Sequence, residues 1–296
     1  MGSGVRRVIL LTLGWEDLSK SVSVHGASAS ERLREPTPGV LLEVDGGWLL
    51  LDTGFNTALI RDPALRRRFY PDVDYLPVLP GAGEPLEEAL ARAGLHLDAI
   101  GLVAVSHLHA DHAGGLKLFA GRVPVHVQRR ELQYGLSGHP EPEREGIFRV
   151  DFDDPRIDWR IGDGDVEIAP GVTAVVTAGH TPGHQSFVVE LDRSVGGGGF
   201  VFAFDAADLT ENIDQERAIG SFIGVRPEET IEPIRRLKAI AAERGYRLIP
   251  GHDPHVWPAL SHEFAERFTA PGRDRDPRLP VTAVPGTARG PGTGGA

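Results

Sequence analysis

The chain has 296 residues, a formal net charge of −11, 12 histidines and no cysteine. Without thiols there can be no disulfide, no cysteine-liganded zinc or iron–sulfur cluster and no cysteine nucleophile, so a metal would have to be held by imidazole and carboxylate. The acidic balance offers no basic stripe for nucleic acid, and no apolar run approaches the ~20 residues that cross a bilayer.

Hydrophobic residues make up 41% of the chain, enough for a sizeable core at this length. The opening MGSGVRR leads into only a short apolar stretch. It matches neither a secretory signal nor, with Arg6 at position six, a myristoylation motif, so the expected location is the cytoplasm.

Short runs rich in Val, Ile, Leu and Phe, bounded by Gly, Pro or Asp, predict strands. In chain order the first covers residues 7–13, followed by a long loop over 15–36. Strands over 40–44 and 48–52 flank Asp45-Gly46-Gly47, a hairpin signal. A second long loop spans 55–80, then a helix over 85–93, a strand over 100–106, a short helix over 115–119 and a strand over 123–127. Strands follow over 172–177, 186–191 and 200–204, the last two joined by the glycine-rich turn 194–199. Ile231, Ile234, Leu237, Ile240 and Ala241 recur at helical spacing behind Pro227, predicting a helix over 227–244. A strand over 247–249 and a helix over 257–268 end the pattern. Residues 270–296 hold almost no apolar residues and are expected to be a disordered tail, which leaves 1–269 as a single domain. Strand pairs, then strands interleaved with helices, then strand pairs again suggest an α/β sandwich of two mixed sheets flanked by helices.

The chemistry concentrates in Ser106-His107-Leu108-His109-Ala110-Asp111-His112-Ala113-Gly114-Gly115, directly after the strand over 100–106. His107 and His109 alternate by two, so in extended backbone both project to one side. Asp111 and His112 lie on the following turn and can reach a second point. Imidazole nitrogen and carboxylate oxygen are the ligands that borderline metals such as zinc take. A polar loop with unrelated histidines is the alternative, but four ligand-type residues within six positions argue against it. Further ligand types follow later strands in the same way: His180 and His184 after 172–177, Asp205 after 200–204, and His252 after 247–249.

His-x-His-x-Asp-His over 107–112, His180, Asp205, His252 and the early Asp52-Thr53-Gly54 together resemble the metallo-β-lactamase superfamily. SHLHADHAGG, TPGHQS, FDAADLTEN and PGHD, in this order and spacing, most resemble the N-acyl homoserine lactonases, from about residue 7 to about residue 265. The resemblance implies an αββα sandwich over 1–269 with a centre of two divalent metal ions. His107, His109 and His180 would hold the first, Asp111, His112 and His252 the second, and Asp205 would bridge both together with a hydroxide. Two metals ~3.5–4 Å apart need such a shared carboxylate. Zinc suits this set best, and iron, manganese or cobalt would also be accepted. Asp52 is expected to accept a hydrogen bond from a ligand imidazole, and His184 to serve the turn. His25, His96, His126, His139, His255 and His262 carry no ligand context.

The implied reaction is hydrolytic opening of a lactone. Hydroxide attacks the carbonyl, a metal polarises the carbonyl oxygen, and Asp111 is the general acid toward the leaving oxygen. The partner is thus a small-molecule lactone or ester, with no nucleic acid or membrane, on a monomer or homodimer. A Gly-x-Ser-x-Gly elbow is absent. Two substrate positions depart from the lactonases resembled. Where these commonly carry a tyrosine three residues after the bridging aspartate, this chain has Asp208, which cannot donate that hydrogen bond as an anion. Ala110 stands where an aromatic residue is frequent, implying a wider, less greasy mouth. The ring-opening centre is expected to be kept and recognition altered. Phe55, Phe69, Tyr70 and Tyr75 either line an acyl-chain groove or pack behind a solvated helix end. The alternative activities are a glyoxalase-II-like thioesterase, which would want a basic pocket, another ester hydrolase of the superfamily, or a biosynthetic sibling with a different substrate.

Overall fold

A computed structural model describes residues 4–71, 74–220 and 226–268. The tail expected over 270–296, and the domain boundary before it, lie outside the described residues. Among the described residues no helix is long and apolar enough to cross a membrane.

The first sheet begins with two long antiparallel strands, β1 (Arg7–Ser19) and β2 (Arg32–Val44). This corrects the loop expected over 15–36. After a bulge between Thr12 and Gly14 the pairing resumes, from Trp15 opposite Pro36 to Ser19 opposite Arg32. Only residues 20–31 connect the two strands. β3 (Gly47–Leu51) returns from β2 through the predicted hairpin, with Gly46 and Gly47 at φ 95° and 144°. β4 (Leu76–Val78) flanks β1, and β5 (Ile100–Ala104), β6 (Pro124–Gln128) and β7 (Asp158–Gly162) add in parallel beyond β3. The order is β4-β1-β2-β3-β5-β6-β7.

The second sheet holds β8 (Val166–Ala169), β9 (Val172–Val176), β10 (Gln185–Glu190), β11 (Gly199–Phe202) and β12 (Arg247–Ile249), in the order β12-β11-β10-β9-β8. Only β12 runs parallel to its neighbour. Alternation along the strands builds the layers. Val8, Leu10, Val40, Leu42, Leu49 and Leu51 face inward onto Phe187, Val189, Phe200 and Phe202 of the second sheet. Leu11, Leu41, Leu50 and Val103 face the other way, under the helix Pro85–Arg92. Val175, Val188 and Val201 lie under the helix Ile231–Arg244. The result is the expected αββα sandwich of two mixed sheets.

Smaller differences have local causes. The helices expected over 115–119 and at 227–230 are 3₁₀ turns. Three strands were not foreseen: β4 is a three-residue edge strand containing Pro77, and β7 and β8 leave Ile161 and Val166 exposed, so neither shows a clean buried face.

One buried acid off the site makes a testable point. Asp151 is fully buried; its Oδ1 accepts from Asn56 Nδ2 at 2.7 Å, while its Oδ2 has no hydrogen-bond partner. Burial raises its pKa from 3.8 to about 7, against the opposing effect of the Asn56 bond. The unfolded carboxyl ionises near 3.8, so between there and about 7 the folded state holds more protons. Stability therefore falls as pH rises through that window. Asp151→Asn is expected to remove this slope, worth on the order of a few kcal/mol. Urea midpoints at pH 5 and pH 8 check this, and parallel curves for variant and wild type would contradict it.

Candidate metal centre

The loops after β3, β5, β9, β11 and β12 meet at one edge of the sandwich and bring the predicted ligand residues together. All of them are buried. Asp52 follows β3 with φ 58° and Phe204 precedes Asp205 with φ 47°, two of the few non-glycine residues in the left-handed region. Thr53 pins the loop that carries the first motif: its N–H and hydroxyl both donate to the His112 carbonyl, at 2.8 and 2.7 Å.

The side chains fall into two groups that share Asp205. In one, His107 Nε2 and His180 Nε2 each lie 2.9 Å from His109 Nδ1. Asp205 Oδ2 is 3.3 Å from His180 Nε2 and 3.7 Å from His107 Nε2. In the other, Asp205 Oδ1 is 3.1 Å from His112 Nε2 and 3.0 Å from His252 Nε2. Asp111 Oδ2 completes this group, 2.7 Å from His112 Nε2 and 3.9 Å from His252 Nε2. One carboxylate thus offers one oxygen to each group.

The far side of three rings fixes which nitrogen faces the centre. Ser106 Oγ donates to Asp52 Oδ2 at 2.7 Å, so toward His107 Nδ1, 2.9 Å away, it acts as acceptor. His112 Nδ1 donates to Asp52 Oδ2 at 2.7 Å, and His252 Nδ1 to the Pro36 carbonyl at 3.0 Å. Each Nδ1 therefore carries a proton, which leaves Nε2 as the nitrogen that would meet a metal.

These donors fit divalent cations. Tetrahedral ligands on bonds of 2.0–2.1 Å stand about 3.3 Å apart, and the ring nitrogens and Asp205 oxygens cluster around that spacing. The electrostatics of His107, His109 and His180 agree. Burial, then crowding by neighbouring imidazoles, pushes His107 and His180 well below the usual histidine range, and burial takes His109 to about 4. Neutral imidazole is the ligand form. Burial also opposes charge on His112 and His252, but the carboxylates outweigh it: Asp111, Asp205 and Asp52 raise His112, and Asp205 with Glu16 and Asp208 raise His252. Burial works to raise Asp205, yet the imidazoles of His112, His252, His107 and His180 hold it well below the usual carboxylate range.

Glu131, which the sequence does not single out, ties two ligand loops together. Fully buried, it accepts from Leu108 N at 3.0 Å, Thr181 Oγ1 at 2.7 Å and Gly183 N at 2.9 Å. A Cβ at Gly183 would collide with the Glu131 backbone, which explains that glycine. His184 stands in the turn below, its Nδ1 2.8 Å from Thr177 Oγ1, outside both ligand groups. His126 is buried in β6, 3.2 Å from Gln185 Nε2, while His25, His96, His139, His255 and His262 are exposed.

A cavity of about 780 Å³ opens onto His109, Asp111, Asp205 and His252. Ala110 and Asp208 line it, together with Phe69, Tyr70, Tyr75 and Phe148. Phe55 packs edge-on against Tyr70 at 6.3 Å, behind that wall. Arg67 and Arg68 are exposed, so the segment is both wall and solvated helix end. Glu16 and Glu35 also line the cavity. Burial raises them to about 8 and about 7, respectively. Neither was foreseen, because both sit in the segment read as loop.

The sequence profile of the metallo-beta-lactamase superfamily matches residues 34–252. An N-acyl homoserine lactonase of Bacillus thuringiensis is 30% identical over 249 residues, 84% of this chain and 94% of that protein. One from Azorhizobium caulinodans is 30% identical over 234 residues, 76% of this chain and 84% of that protein. The solved structure of an N-acyl homoserine lactone hydrolase, with N-hexanoyl-L-homoserine bound at its catalytic metal centre, superposes with a TM-score of 0.75. It is 29% identical and covers 86% of this chain and 96% of its own. With the fold, the profile and these relatives in agreement, the chain belongs to the metallo-β-lactamase superfamily, in its N-acyl homoserine lactonase family of hydrolases.

Proposed function

We propose that this protein opens the ring of N-acyl homoserine lactones or closely related lactones at a centre of two divalent ions, zinc first among the metals its ligands accept. The observation that carries this reading is Asp205, one oxygen turned to each ligand group at the floor of a cavity. His107, His109 and His180 would hold one ion, Asp111, His112 and His252 the other, with Asp205 shared. Bound there, the ions would supply Lewis acidity, lowering the pKa of water and polarising an ester carbonyl.

The chain's own groups do the rest. Ser106, Asp52 and the Pro36 carbonyl hold three imidazoles in one tautomer and one orientation. Asp111 lines the cavity beside Asp205, and its carboxylate would take a proton from the attacking water and pass it to the leaving ring oxygen. Ala110 leaves room at the mouth, and the aromatic wall gives an acyl chain apolar surface. The thioesterase alternative is disfavoured by the cavity interior. Its buried charged side chains are acidic, and Arg68 and Arg144 lie exposed at the rim.

The reading is tested by base uptake at constant pH with acyl homoserine lactones of several chain lengths, beside γ-butyrolactone and a glutathione thioester. Ring opening of acyl homoserine lactones is expected, with the thioester turned over far more slowly. Thioester turnover with no lactone opened would overturn it.

A further inference from the structure

Glu16 and Glu35 stand directly opposite one another across β1 and β2. Ionised together they would repel in that position, and both are buried, with 5% and 1% exposure. Asp208, also buried, lines the same cavity, and its Oδ1 has no hydrogen-bond partner. Among the described residues no lysine or arginine pairs with any of the three. His252 Nδ1 comes within 3.7 Å of Glu16, but its proton is directed to the Pro36 carbonyl. Tyr75 donates to Glu16, and Ser23 donates to Glu35 at 2.6 Å, so each of these acids has a carboxylate oxygen to spare.

Another part of the cavity wall is aromatic. Tyr70 stacks on Tyr75 at 6.3 Å and meets Phe148 edge-on at 5.4 Å. The Tyr70 hydroxyl is buried and has no hydrogen-bond partner. Carboxyl groups without a paired cation, beside aromatic faces, are the chemistry that receives an organic ammonium group, whose charge favours their ionised form. A buried acid set of this kind either stays protonated, as burial favours here, or meets a positive group that stabilises its ionised form.

We propose that Glu16, Glu35 and Asp208 form a subsite for an ammonium group, and that the substrate is a lactone carrying a primary ammonium within a few bonds of its acyl carbonyl. This rests on the lactone-opening reading. The closeness of Glu16 to His252 sets the short reach. A third metal ion is the competing occupant, because Glu16, Glu35 and His252 lie close enough to share one; it would have to displace the proton that His252 Nδ1 gives to the Pro36 carbonyl.

Two matched pairs of lactones test the proposal: N-glycyl against N-propionyl homoserine lactone, and N-β-alanyl against N-butanoyl homoserine lactone. Each pair exchanges an ammonium for a methyl group. The ammonium member is expected to have the higher kcat/KM by about tenfold or more, equivalent to about 1.4 kcal/mol. Glu35→Gln and Asp208→Asn are each expected to move that ratio toward one. Calorimetry with the ring-opened products N-glycyl- and N-propionyl-homoserine reads the same preference without turnover. Equal rates and equal binding within each pair overturn the subsite and leave the lactonase reading standing. Preferential binding of the ammonium product with no lactone opened supports the subsite and removes the lactonase reading. A third equivalent of divalent metal that disappears in Glu35→Gln assigns the acids to an ion and overturns the proposal.

Discussion

Asp205→Asn is expected to lower bound divalent metal from about two ions per chain to one or fewer, and to cut lactone turnover by about 10³-fold. The carboxylate gives Oδ2 to His107 and His180 and Oδ1 to His112 and His252. Asparagine keeps only one acceptor, and its amide hydrogens would face the ring nitrogens that would meet a metal. The metal group that loses its oxygen loses its ion. Elemental analysis after gel filtration, alongside initial rates, checks this. Two ions per chain and an unchanged rate would show that Asp205 is no bridge.

Asp52→Ala should be the most damaging change outside the ligand set. Asp52 is fully buried and accepts three hydrogen bonds at 2.7 Å, from Ser106 N, Ser106 Oγ and His112 Nδ1. Alanine leaves a buried N–H without a partner and frees the His112 ring, a loss of about 3–5 kcal/mol in stability. Metal affinity is expected to fall by about 10–100-fold, the usual cost of removing the partner that orients a ligand imidazole. Asp52→Asn should be milder, since asparagine tolerates the backbone at φ 58° and keeps one acceptor. Urea unfolding and chelator competition measure the two effects. Unchanged metal affinity in the alanine variant would show that Asp52 does not orient the His112 ring for a metal.

The candidate ligand residues were legible because each follows an apolar strand, and strand ends are where this architecture gathers a site. The sandwich was legible because residues such as Val40, Leu41 and Leu42 occur in strands that bury both faces. The outer halves of β1 and β2 were not, since Trp15–Ser19 and Arg32–Glu35 mix charge with apolar residues and pair only because the ladder resumes past a bulge. With those strands went Glu16 and Glu35, whose opposition exists only in the register. Glu131 was hidden for another reason. Its partners lie 23, 50 and 52 residues away, and no local spacing announces such a bond.

The two ligand groups joined by Asp205 are proposed to make a two-ion centre that opens lactones. Its most direct test is the initial rate of N-hexanoyl homoserine lactone opening by metal-stripped protein titrated with zinc. Negligible opening is expected without metal, with a rise on added zinc and a plateau at two equivalents per chain. A protein holding two ions that opens no lactone, or a rate indifferent to metal, would contradict it.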